Sequence, residues 1–158
     1  MNIAQHASQH YYEAFYGDNW SEIDYKEVLD GLSFTEAVSI TPASANSIAA
    51  IIYHVTFYSK TILQRLQGNN PKINEANGFD MPEIKIESGW QTLKQLFFEA
   101  ANDLTAAIKN IPEEKWDKPI FEYHDTFYKT VAGATEHAYY HLGQILILKK
   151  VLRNNVHM

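Results

Sequence analysis

The strongest constraint in this chain is a proline-free run near its C-terminus. VAGATEHAYYHLGQILILKKVL, residues 131–152, carries two histidines inside an apolar stripe. At about 100° per residue, Val131, Ala134, Ala138, Ile145, Leu148 and Leu152 fall on one side of a helix. His141 lies among them, and His137 sits one turn earlier on the same flank. The rest of the chain has to bury that stripe. An i, i+4 pair of imidazoles also presents two nitrogen donors on one face, and a third donor from a neighbouring helix would complete a set around a divalent ion. The segment SIAAIIYHVTFYSKTIL offers His54, at the edge of a face formed by Ile48, Ile52, Val55, Ile62 and Leu66, beside Ile51 and Tyr58. The expected metal site is His54, His137 and His141.

Three further stretches have helical spacing. Ile3, Ala7, Tyr11, Ala14 and Phe15 recur over residues 2–15, and Gly17 ends the pattern. In residues 20–46, Ser21 with Asp24 reads as a capping box for a short helix ended by Gly31, and residues 34–38 form another turn. Trp20, Tyr25 and Phe34 are expected to close one end of the molecule. Asn46 or Ser47 caps a second long helix running to about Gln67. Residues 72–87 are polar and read as an exposed crossover. Ser88 and Gln91 then form an S-x-x-Q capping box. Trp90, Leu93, Leu96, Phe97, Ala100, Leu104, Ala107, Ile108 and Ile111 give the clearest amphipathic pattern, stopped by Asn110 and Pro112. Pro112 can open one turn through Trp116. Residues 119–126 read as extended, with Asp125 or Thr126 capping the last helix. Four long helices joined by two complex connectors make an all-α bundle, and residues 1–158 read as one domain without an internal repeat.

Composition narrows the function. Thirteen basic residues against 19 acidic, with no Lys/Arg cluster, argue against a nucleic-acid partner. The absence of cysteine removes disulfides, thiolate ligands and a cysteine nucleophile, leaving histidine and carboxylate for any ligation. No signal-peptide pattern opens the chain, and no apolar run approaches the ~20 residues of a membrane span. The expectation is a soluble cytoplasmic protein.

A lone histidine near a core face is usually hydrogen-bonded structure; a pair on adjacent turns needs partners that a shared cation supplies. His6 and His10 form a second i, i+4 pair, read as surface or interfacial and kept as the alternative should His54 fail. His124 and His157 fall in a loop and at the terminus, where exposure is expected. The word His137-Ala-Tyr-Tyr-His141 shares its spacing with the zinc-peptidase motif H-E-x-x-H, but Ala138 stands where that motif has its general base. Glu136 points about 100° away, which disfavours that chemistry. Gln144, on the histidines' flank, can orient a ligand, and equally fits a polar helix edge. Tyr58 and Tyr140 can line a pocket.

The helix word IIYHVTFY around His54, followed much later by TEHAYYHLGQI, resembles the DinB-like family, which includes the YfiT-type metal-dependent hydrolases. The likeness runs through nearly the whole chain in helix order, with H-x-x-x-H-x-G-Q-[IL] its specific part. It implies a four-helix bundle with a long crossover, a three-histidine site filled by nickel or zinc at His54, His137 and His141, and a homodimer. It also implies hydrolases, or transferases and isomerases that use low-molecular-weight thiols. Ala138, Tyr140 and Leu142 depart from the residues many relatives carry around the last motif.

A neutral three-histidine set leaves a divalent ion its full charge and open positions, suited to deprotonating water or a small thiol. The expected function is a metal-dependent hydrolase or low-molecular-weight-thiol transferase acting on a small molecule. The alternative is a non-catalytic, metal-stabilised interaction bundle.

Overall fold

Small polar side chains fix where most of the helices begin. Asn2 Oδ1 accepts from Gln5 N and Gln5 Oε1 accepts from Asn2 N, both at 2.9 Å, a reciprocal cap that starts α1 (Ile3–Tyr16). Asp24 caps α2 (Tyr25–Leu29) and Ser33 caps α3 (Phe34–Val38). Ser47 Oγ accepts from Ala50 N at 3.2 Å to open α4 (Ile48–Leu66). Thr126 Oγ1 accepts from Lys129 N at 3.1 Å at the head of α6 (Phe127–Asn154). The computed structural model describes residues 1–154. The fold is all-α: among the described residues, strand-like pairing is limited to two isolated bridges, Thr41 with Ser44 and Pro119 with Thr126.

The remaining long helix, α5 (Glu87–Lys109), has no side-chain cap. The Ser88–Gln91 box does not form, because the helix starts after Ile86 and takes Ser88 inside. Ile84, partly buried against the core, approaches Gly89 so closely that a Cβ there would stand 2.9 Å from Ile84 Cγ2. Ile84 thus lies against the first turn of the helix. Glu87 then places a carboxylate in the first turn, where the helix dipole favours it.

Each long helix packs on two others: α5 on α1 and α4, and α6 on the same two. Tyr11 of α1 reaches Ser59 of α4 through a 2.9 Å hydroxyl contact, and Ser59 donates onward to Val55 O at 2.9 Å. Phe15, Tyr25 and Phe97 form a fully buried cluster with centroids 4.8 to 5.3 Å apart. Tyr25 Oη donates to Ala138 O of α6 at 2.8 Å, so the cluster also ties the last helix down. The stripe expected on α5 is buried except at Leu96, 39% exposed, and Ala107, half-buried.

The connectors differ most from expectation. Asn19 folds its loop by donating to Glu13 O and Ile23 O, both at 2.9 Å. Its free oxygen takes the Ser21 hydroxyl at 2.6 Å, so Ser21 is occupied there and Asp24 caps α2. The same loop turns Trp20 fully outward, leaving Tyr25 buried and Phe34 partly so; Trp20 closes nothing. Residues 119–126 are not extended. They close into a turn, with Ile120 N donating to Asp125 O at 2.9 Å and Tyr123 at φ 64°. A 3-10 turn, Glu113–Lys115, follows Pro112 as the sequence suggests. No helix among the described residues is long and apolar enough to cross a membrane.

Candidate metal centre

On α6, four residues advance the helix by about 400°, which brings His137 and His141 onto one flank. That flank packs against α4, whose edge carries His54. The three imidazoles meet. His54 Nε2 lies 3.0 Å from His137 Nε2, and His141 Nε2 lies 3.1 Å from the same atom. His54 and His141 are 3% and 5% exposed, so solvent contributes little to satisfying those two rings, and His137 is half-buried.

The outer nitrogens decide the chemistry of the inner ones. His54 Nδ1 faces the Asn77 carbonyl at 2.8 Å, and His141 Nδ1 faces Gln144 Oε1 at 2.7 Å. A carbonyl oxygen only accepts, so both rings carry their proton on Nδ1 and present a bare lone pair at Nε2. His137 Nε2 can donate one proton to one of these neighbours. At least one of the two short contacts therefore leaves an acceptor nitrogen with no proton to accept. A shared cation satisfies it.

Electrostatics point the same way. Burial pushes His137 down to about 3, with the neighbouring imidazoles of His141 and His54 adding to the effect. Burial also lowers His54 and His141, against the opposing pull of the Asn77 carbonyl and the Gln144 amide. All three are neutral at neutral pH, the form that ligates. Nitrogens bound at ~2.0–2.1 Å and tetrahedral angles stand about 3.4 Å apart, so the observed contacts need to open by only a few tenths of an ångström. The donor set fits a divalent ion: candidate ligand atoms of all three histidines lie within 4.8 Å of one another.

Aromatic rings surround the triad. Phe79 stacks on His54 with centroids 4.0 Å apart and planes at 12°. Tyr58 meets His54 and His137 at 5.0 and 4.8 Å, and Tyr140 meets His141 at 4.9 Å. Gln144 Nε2 donates to Tyr140 Oη at 3.0 Å, which links that hydroxyl to the His141 ring through one amide. Gln144, Tyr58 and Tyr140 are thus all at the site. Asn77 and Phe79 are the residues that the sequence reading missed. Both lie in the crossover, which is not the wholly exposed strap its polarity suggested: Gly78 is buried and Phe79 half-buried. The Asn77-Gly78 dipeptide was the available signal, since it marks a left-handed turn.

The other histidines lie elsewhere. His6 and His10 are exposed and line a groove of about 410 Å³ between α1 and α6, with Trp116 and Thr135 on its walls. They do not converge with a third ligand; among the described residues the one such group is His54, His137 and His141. His124 is exposed beside Asn70. His157 lies outside the described residues. Glu136 is exposed, and Ala138 is buried with its carbonyl bonded to Tyr25.

Comparison with known proteins gives one family. The family model described as the DinB superfamily matches residues 20–145, a span that contains all three histidines and the Asn77 turn. No curated protein and no solved structure matches the chain.

Proposed function

We propose that this chain, which belongs to the DinB superfamily, is a metal-dependent enzyme of hydrolase or low-molecular-weight-thiol transferase type. In this reading His54, His137 and His141 hold one divalent ion, nickel or zinc. The observation that carries it is the meeting of three neutral imidazoles at Nε2, two of them with Nδ1–H committed outward. A divalent ion with three neutral ligands keeps its full charge and supplies Lewis acidity toward a water or thiol.

The chain's own residues supply orientation. Asn77 and Gln144 hold two rings in the ligating tautomer. The Tyr140 hydroxyl accepts from Gln144 and so keeps its own proton to donate to a substrate acceptor. No carboxylate joins the histidines among the described residues, so a protein base of the peptidase kind is lacking. That favours a substrate bringing its own acidic proton, such as a thiol.

The same reading takes the ring of four long helices as a four-helix bundle with long crossover connections. It has the protein act in the cytoplasm on a small molecule, as a homodimer. Exposed Leu96 and Ile86, beside an apolar groove between α4 and α5, offer surface for a second copy. The test is elemental analysis of protein purified without added metal. One ion per chain is expected in the wild type and none in His137→Ala. Stoichiometric metal in the variant moves the ion to another site.

One observation favours a second reading. His54 and His141 are almost fully enclosed, and the groove between α1 and α6 and the apolar groove on α4 and α5 are lined by none of the three histidines. A metal-stabilised scaffold without catalysis fits that enclosure. Chelation separates the two: a large fall in thermal stability, with no turnover of thiol-plus-electrophile or ester substrates, selects the scaffold.

A further inference from the structure

Residues 74–80 form a turn braced from within. Asn77 N donates to Asn74 Oδ1 and Asn74 O, each at 3.1 Å, Phe79 N donates to Ala76 O at 2.9 Å, and Asn74 Nδ2 reaches Asp80 Oδ2 at 3.1 Å. Asn77 and Gly78 are consecutive left-handed residues, at φ 53° and 76°. The turn docks on one face of α4. Gly78 sits against Phe57, where a Cβ would stand 2.6 Å from Cδ1 and 2.7 Å from Cγ. Tyr58 Oη donates to Asn77 Oδ1, while the Asn77 carbonyl meets His54 Nδ1 and the Phe79 ring covers the His54 imidazole. Backbone sign and space both require glycine at position 78.

We propose that this turn is a positioning element for the metal site: Asn77 and Gly78 set the tautomer and ring plane of His54, so that its Nε2 faces His137 before any ion arrives. The inference rests on the reading of His54 as a ligand. Without the Asn77 carbonyl an imidazole also populates the form protonated at Nε2, which blocks the atom needed for ligation. The ring plane loses a support as well, since the stacked Phe79 comes from the same turn, which leaves Tyr58 and the other two imidazoles against it. The side chain of Asn77 is secondary in this scheme; the main-chain oxygen and the glycine that aims it carry the effect.

The experiment uses the full chain. Long-range nitrogen NMR of metal-free wild type reads the His54 tautomer, and competition against a chromophoric chelator reads zinc affinity for wild type, Gly78→Ala, Asn77→Gly and the double variant Phe57→Ala/Gly78→Ala. The expected tautomer is Nδ1–H. Gly78→Ala is expected to weaken zinc binding about 10- to 100-fold with helical content unchanged, and the double variant to recover part of that loss by making room for the Cβ. Asn77→Gly keeps the carbonyl and the left-handed backbone but gives up the Tyr58 hydrogen bond, and is expected to lose less zinc affinity than Gly78→Ala. A folded Gly78→Ala that binds zinc as tightly as wild type overturns the proposal, as does an Nε2–H tautomer in the wild type. Should Gly78→Ala fail to fold, the wild-type tautomer decides alone. Absence of zinc binding by the wild type sinks the metal reading instead, and the tautomer then still decides whether the turn holds His54.

Discussion

Two clusters of buried rings touch neighbouring residues of α6 and behave in opposite ways. Phe15, Tyr25 and Phe97 pack at centroid distances of 4.8 to 5.3 Å, and His54, His137 and His141 at 4.4 to 5.0 Å. Spacing is nearly the same. The first cluster is complete in itself: its rings are apolar and its single hydroxyl donates to Ala138 O. The second leaves nitrogen facing nitrogen, one residue away along the chain. The contrast teaches that tight packing does not distinguish a core from a site; what distinguishes them is whether each buried polar atom has a complementary partner within the chain.

The contrast is most severely tested at Phe97. Phe97→Ala should cost about 3–5 kcal/mol in denaturant unfolding, while metal per folded chain stays unchanged; a loss of metal would show that the two clusters are coupled. At the triad the two readouts should exchange. His137→Leu should abolish metal binding yet cost metal-free protein only about 1–3 kcal/mol, less than Phe97→Ala, because leucine fills the space but leaves Nε2 of His54 and His141 without a donor. Acid sharpens this. All three imidazoles are held below the ordinary value of 6.5 when folded, His137 at about 3. The unfolded chain therefore binds more protons between those limits, so metal-free stability is full above about pH 6.5 and falls as pH drops toward 3. His137→Leu should flatten that decline, read by thermal melts across the range.

Smaller effects follow at the edges. Tyr25→Phe keeps the aromatic packing and removes the bond to Ala138 O, for an expected loss of about 0.5–1.5 kcal/mol; no change would mean that the hydroxyl adds nothing to its cluster. The smallest loss is expected at Arg153, whose guanidinium meets Glu36 at 2.8 Å and holds that carboxyl down to about 2. Arg153→Ala should cost about 0.2–1 kcal/mol. The Glu36 contribution is present above the ordinary carboxylate value of 4.5 and lost as pH falls through about 2. Carboxyl titration by NMR should find Glu36 returned toward that ordinary value in the variant.

Much of this molecule is readable from its residues. Apolar spacing on the four long helices marks their buried faces, because helical period and burial are one geometric fact. The meeting of the three histidines was legible for a related reason: His137 and His141 share a flank, His54 borders the apolar face of the second long helix, and the H-x-x-x-H-x-G-Q-[IL] word resembles a family whose three histidines fall at these positions. The crossover was not legible. Its polar side chains do face solvent, and the group that matters at Asn77 is a main-chain carbonyl, which every residue possesses. The caps failed for a kindred reason. Ser21 and Ser88 have the right side chains, but Asn19 had already claimed one, and a helix that starts at Glu87 takes the other inside.

X-ray absorption at the zinc edge of zinc-loaded protein tests the metal site most directly. The account predicts a first shell containing three imidazole nitrogens at about 2.0–2.1 Å, reduced to two in His54→Ala. A shell dominated by carboxylate oxygen, or one unchanged by that substitution, would contradict it.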